Sequence, residues 1–192
     1  MNYAVFDIET QNWFSNLPSG ATHADLKVSI LGAYFSKDDI YLAFQEKDLE
    51  EFVEKLKQVD LVVGYNSVGF DYPVLQAYTN LDLQSLPSYD IMLEIEKKVG
   101  FKVRLGDVAA ATLGYGKTDK GSNAVDYYKQ GVWDKLIDYC MYDVKITKEV
   151  FEVIVKEGKV KYKDLIDMKE VILDPVQVPD TKQLRYFEQG IF

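Results

Sequence analysis

Two carboxylates, Asp7 and Glu9, stand two residues apart at the end of the apolar run Tyr3-Ala4-Val5-Phe6. A short continuous apolar run of this kind reads as a strand buried on both faces, as in the sheet of an α/β protein. Side chains alternate along a strand, so Asp7 and Glu9 point the same way. Side by side, two carboxylates repel unless a cation sits between them. A hard divalent ion with oxygen ligands resolves that repulsion. The pair gains meaning if the rest of the chain brings further carboxylates to this strand end.

The remaining pattern is consistent with an α/β layout. Residues 2–7 form the first expected strand, and residues 10–27 are a polar, turn-rich loop. Residues 28–35 and 39–45 read as two strands joined by the turn Ser36-Lys37-Asp38. Residues 48–58 have helical spacing at Leu49, Phe52, Val53 and Leu56. A short strand follows at 61–65, a helix at 71–79 and a fifth strand at 86–91. From 92 to 157 the pattern is mostly helical, with glycine breaks. Its last helix repeats apolar or small residues at Trp133, Ile137, Cys140, Val144, Thr147, Phe151 and Ile154. Strands, a helix, a strand and then helices predict an α/β fold with a mixed five-stranded sheet flanked by helices. The expected domain spans residues 1–158. Residues 159–192, interrupted by Pro175 and Pro179, read as an appended strand-and-turn segment or a linker.

With 192 residues and 47% apolar content, the chain can build one domain with a sizeable core. It carries no apolar run of membrane-spanning length, about 18–20 residues, and no signal-peptide pattern. The single Cys140 fits a reducing, cytoplasmic setting. A net charge of −9 argues against broad polyanion binding, but metal ions over carboxylates would invert the local field. Basic residues concentrate in two stretches, six Lys/Arg against four acids in 94–120 and six Lys against three Glu in 145–163. A solvated helix face explains either stretch equally well.

Two further carboxylates have suitable contexts. Asp71 follows the strand ending at Tyr65 and opens the next helix, where a helix dipole tolerates an acid and where an ordinary N-cap is the simpler alternative. Tyr139 and Asp143 are four apart on the last helix and share a face. Asp143 lies beside the apolar stripe, between Cys140 and Val144.

Phe6-Asp7-Ile8-Glu9-Thr10, then Gly64-Tyr65-Asn66-x-x-x-Phe70-Asp71-x-Pro73-x-Leu75, then Tyr139-Cys140-x-x-Asp143 resemble the three exonuclease motifs of the DEDD superfamily. That superfamily comprises 3′-to-5′ exonucleases with a ribonuclease H-like fold. The wording is nearest the proofreading exonuclease of family-B DNA polymerases and its stand-alone or helicase-fused relatives. One branch has His five residues before the last Asp, but here that position is Asp138. The other has Tyr four before it, as Tyr139 is here, so the chain resembles the DEDDy branch.

The resemblance implies metal-dependent removal of nucleotides from the 3′ end of single-stranded nucleic acid, DNA favoured over RNA. It implies two divalent ions, Mg²⁺ or Mn²⁺, held by Asp7, Glu9, Asp71 and Asp143, with Tyr139 positioning the attacking water. A phenol with a pKa near 10 suits positioning better than proton abstraction. Asn66 and Phe70 are candidates to grip the terminal nucleotide; a turn-stabilising Asn and a core Phe are their alternatives. Thr10 and Gln11 are candidates for contact with the 3′ hydroxyl. Lys117 and Lys120 could meet phosphates, although a flexible surface loop is the better reading there. His23, the only histidine, reads as a surface loop residue. A noncatalytic nucleic-acid-binding module of a repair or helicase assembly is the competing function, although such modules usually lose a carboxylate. A monomer, with a helicase or polymerase partner in trans, completes the expectation.

Overall fold

The computed structural model describes residues 1–116, 123–164 and 167–178. Strand β1 (Tyr3–Thr10) pairs antiparallel with β2 (Val28–Phe35), and β2 pairs antiparallel with β3 (Ile40–Gln45). On its other side β1 pairs in parallel with β4 (Leu61–Gly64), which pairs in parallel with β5 (Ser88–Asp90). The order β3-β2-β1-β4-β5 is the expected mixed five-stranded sheet. Helices α1 (Leu49–Leu56), α2 (Asp71–Leu75), α3 (Ile91–Val99), α4 (Leu105–Leu113), α5 (Ala124–Gln130) and α6 (Trp133–Glu157) accompany it.

Alternation along β1 sorts its side chains between two cores. Tyr3 and Val5 join the cluster that includes Val144, Phe151 and Ile154 of α6. Ala4, Phe6 and Ile8 join the opposite cluster, with Phe52 of α1 and Tyr72 of α2. The odd-numbered face of β1 therefore belongs to α6, and Asp7 and Glu9 continue that face. Helix α6 runs 25 residues and buries one stripe, in which Phe151 is fully buried. A side chain of that kind stabilises the fold by roughly 1.5–3 kcal/mol.

Three boundaries differ from the sequence pattern. Strand β1 runs past residue 7 through Ile8, Glu9 and Thr10; Glu9 is a poor strand former, and β2 holds the stretch by pairing with it at Leu31, Ile30 and Val28. The helix expected over 71–79 stops at Leu75 and tightens to a 3₁₀ turn at Gln76–Tyr78. The fifth strand shortens to three residues, and its end, Asp90, becomes the N-cap of α3. Beyond Gly158, β6 (Lys159–Lys163) and β7 (Met168–Ile172) form a two-stranded antiparallel sheet. Val160, Tyr162, Val171 and Leu173 from this segment bury in the α6-side core.

Candidate metal centre

Asp7 and Glu9 from β1 and Asp143 from α6 each place a carboxylate oxygen within 4.8 Å of the others. At such separations like charges repel by about 3–4 kcal/mol per pair where the effective dielectric is about 20. Asp143 is only 4% exposed, which weakens solvent screening of its charge. The donor set is all carboxylate, with no imidazole. That chemistry fits a hard divalent cation and not a soft one.

Gly32 makes this convergence possible. It is the β2 partner of Asp7. A Cβ there would lie 3.0 Å from the Cys140 Sγ and Met141 Sδ atoms and 3.1 Å from Val144 Cγ2. Without a side chain at 32, α6 rests directly on β2, and Asp143 reaches β1. The Cys140 Sγ lies in the same contact, 3.5 Å from the Asp7 carbonyl oxygen and 3.9 Å from Asp7 Oδ2. Burial and the surrounding carboxylates push that thiol well above its ordinary pKa, so Cys140 is a neutral donor here. Gly32→Ala is expected to destabilise by about 1–2 kcal/mol, a typical overpacking cost. It should also weaken divalent-ion binding. Thermal melts with and without Mn²⁺ check both effects.

Asp71 stands apart from the three-carboxylate group. It is the first residue of α2 and not its N-cap, which is Phe70, so the N-cap alternative falls. Its Oδ1 accepts the Ile8 amide at 2.8 Å. The pairing of β1 with β4 covers Tyr3 to Val5 only. Past that point the Asp71 carboxylate takes the place of a neighbouring strand, bonding β1 between Asp7 and Glu9. Burial pushes its pKa well above the carboxylate range, and the charges of Asp90 and Asp143 add to the rise. Its own amide and the Ile8 amide oppose the rise. A bound cation nearby would favour the ionised form.

The segment leading to Asp71 is held by a residue that the motif reading did not single out. The Asp90 carboxylate accepts the amides of Asn66 at 2.8 Å and Val68 at 3.0 Å, and those of Met92 at 3.1 Å and Leu93 at 3.3 Å. One side chain thus caps α3 and fixes the loop before α2. The local signal was present, an Asp directly before the apolar helix start Ile91-Met92. Asn66 adopts a left-handed conformation with φ 63°, which Asn tolerates better than most residues. A Cβ on Gly64 would meet Ser67 Oγ at 2.3 Å, so the loop folds tightly over that glycine.

Tyr139 lies one helical turn before Asp143, half-buried against the cluster of Ile30, Leu136 and Cys140. The Thr10 hydroxyl donates to the Asn12 carbonyl. The Gln11 amide donates to the Val28 carbonyl and to Glu46. Phe70 packs against the α1/α2-side core and meets His23 edge-on at 5.8 Å. His23 in turn meets Phe14 at 5.3 Å, so it is half-buried in an aromatic row. Lys117 and Lys120 fall outside the described residues. In the two basic stretches, Lys97, Lys98, Arg104, Lys148 and Lys159 all pair with nearby acids. Those pairs favour the solvated-face reading over a polyanion track.

A family model described as RNase_H superfamily matches residues 4–155. Among solved structures, the chain is similar to the family B DNA polymerase from the hyperthermophilic archaeon Pyrobaculum calidifontis, with a TM-score of 0.62 and 22% identity. The match covers 80% of this chain and 24% of the polymerase, so the chain spans about a quarter of that protein's length. The likeness is one of fold. No curated protein matches the chain. Among the described residues no helix is long and apolar enough to cross a membrane.

Proposed function

Because the chain belongs to the RNase_H superfamily, we propose that it is a metal-dependent 3′-to-5′ exonuclease acting on single-stranded nucleic acid, DNA before RNA. The observation that carries this reading is the convergence of Asp7, Glu9 and Asp143 within 4.8 Å, with Asp71 bonded to β1 between the first two. Two divalent ions, Mg²⁺ or Mn²⁺, bound there would supply a nucleophile at neutral pH and neutralise charge at the leaving 3′ oxygen. Asp7, Glu9 and Asp143 would hold the metal, with Asp71 as the further carboxylate beside it.

Tyr139, one turn from Asp143, hydrogen-bonds to the attacking water and orients it. Tyr139→Phe is then expected to slow turnover about 10- to 100-fold without abolishing it. An unchanged single-turnover rate would remove the hydroxyl from the reaction. Asn66 and Phe70 grip the terminal nucleotide, and Thr10 and Gln11 border its 3′ hydroxyl through their backbone. The chain works as a monomer, alone or in trans with a helicase or polymerase.

A circular single strand tests the reading directly, because it has no end. With Mn²⁺ present, the linear strand should be consumed and the circle of the same sequence should persist. Cleavage of the circle would make the activity endonucleolytic. A second check reads the ions without turnover. Mn²⁺ at about a hundred times its Kd should stabilise the protein by about 2.7 kcal/mol. A melting curve indifferent to Mn²⁺, Mg²⁺ and EDTA would count against a metal centre.

A further inference from the structure

We infer that a cavity beyond the carboxylates, at the carboxyl end of β1, holds one nucleobase of the strand; the inference rests on the nuclease reading above. The cavity has a volume of about 210 Å³, with Gln11, Ser29, Gln45, Lys47, Tyr128 and Trp133 in its wall. Sites for drug-sized ligands take roughly 300–1,000 Å³, so this one suits a single small planar group.

The wall chemistry matches a base with its phosphate. Trp133 and Tyr128 meet edge to face with ring centroids 5.7 Å apart, and Trp133 is 37% exposed. An accessible indole face stacks on any base. Gln11 and Gln45 bring side-chain amides, which carry both a donor and an acceptor for a base edge. The Gln11 amide nitrogen already donates to Val28 and Glu46, so its carbonyl oxygen is the group that would accept from a base. Glu46, on the same wall, is engaged by Gln11 at 2.9 Å and by the Tyr78 hydroxyl at 2.8 Å. Lys47 supplies a cation for a phosphate.

Ser29 is an independent sign of a ligand. It is 2% exposed, and its hydroxyl has no hydrogen-bond partner among the described residues. A buried hydroxyl left unpaired is costly, and a ligand polar group that reaches it removes the cost.

The position relates the cavity to the cleavage site. Gln11 lies two residues past Glu9, about 7 Å further along the chain direction of β1. Trp133 lies six residues before Tyr139, about 9 Å back along α6. Both elements that carry the carboxylates therefore continue into the cavity wall. A base held there belongs to a nucleotide next to the one being removed, and stacking holds it whatever its identity.

The chain has two tryptophans, Trp13 and Trp133, so Trp13→Phe makes Trp133 the sole indole reporter. In an Asp7→Asn, Trp13→Phe protein, single-stranded DNA should quench Trp133 fluorescence. An abasic strand of the same length, with phosphates and no bases, should not. In the otherwise unchanged chain, Trp133→Ala should raise KM for the oligonucleotide about tenfold, with a much smaller change in kcat. Trp133→Phe, which keeps a ring, should recover most of that loss. Equal quenching by the abasic strand, or an active nuclease with silent Trp133 and unchanged KM in Trp133→Ala, would overturn the base site and leave the nuclease reading standing. Base-dependent quenching in a chain that hydrolyses nothing would uphold the site and overturn the nuclease reading.

Discussion

Replacing Asp7 by Asn is expected to lower the rate of hydrolysis at least about a thousandfold, comparable to removing a principal transition-state stabilising group. Asp7 is the residue on which the whole arrangement converges. Its β2 partner is Gly32, and one of its carboxylate oxygens lies within 4.8 Å of those offered by Glu9 and Asp143. Asn keeps the shape and removes the negative charge that the proposed metal site needs. The same change also removes a like charge from a crowded acidic cluster, so the metal-free fold gains some relief. The expected outcome is therefore a split between activity and stability. Turnover collapses, while the melting temperature in EDTA stays within a few degrees of wild type. Loss of both together would mean that Asp7 acts mainly as a structural residue.

The second large effect is on stability. Asp90→Ala is expected to destabilise the protein by about 3–4 kcal/mol, since four backbone amides lose one charged acceptor. Loss of the α3 cap alone accounts for about 1 kcal/mol of this. For a domain of this size each kcal/mol lowers the melting temperature by about 2–4 °C. The opposing effect is relief from burying a carboxylate that is only 4% exposed, and burial does push its pKa up. Four amides facing the gap left by Ala outweigh that relief, because the Met92 bond is fully buried and water cannot replace it there. Asp90→Asn keeps one acceptor oxygen and should cost about half as much. Since the Asn66 and Val68 amides lead into Asp71, Asp90→Ala should also reduce turnover in protein that remains folded. Calorimetry on both variants separates cap loss from charge burial.

The carboxylates were legible in the sequence because their signals are local. Strand alternation alone puts Asp7 and Glu9 on one face, and helical spacing alone puts Asp143 beside Tyr139 and next to the buried stripe. The five strands of a mixed sheet followed from the same periodicities, while their order came only with the structure. What was not legible depends on contacts between distant residues. The bond from Asp71 to Ile8 joins positions 63 apart, and it replaces a strand partner rather than capping a helix. Asp90 was half readable as a cap, but its bonds to Asn66 and Val68 reach back 24 and 22 residues. Gly32 reads as a weak point inside a strand, and only the close approach of α6 explains it. The extension of β1 to Thr10 likewise came from β2 as pairing partner, against the weak strand preference of Glu9.

Removal of nucleotides from the 3′ end by this carboxylate cluster is read out with 5′-labelled single-stranded DNA and RNA of one sequence, incubated with Mn²⁺ beside the Asp7→Asn variant. The expected result is a ladder of labelled products that shortens steadily from the 3′ end, faster on DNA, and absent in the variant. Immediate release of the label as a mononucleotide, or a ladder of equal intensity from Asp7→Asn, would overturn the exonuclease assignment.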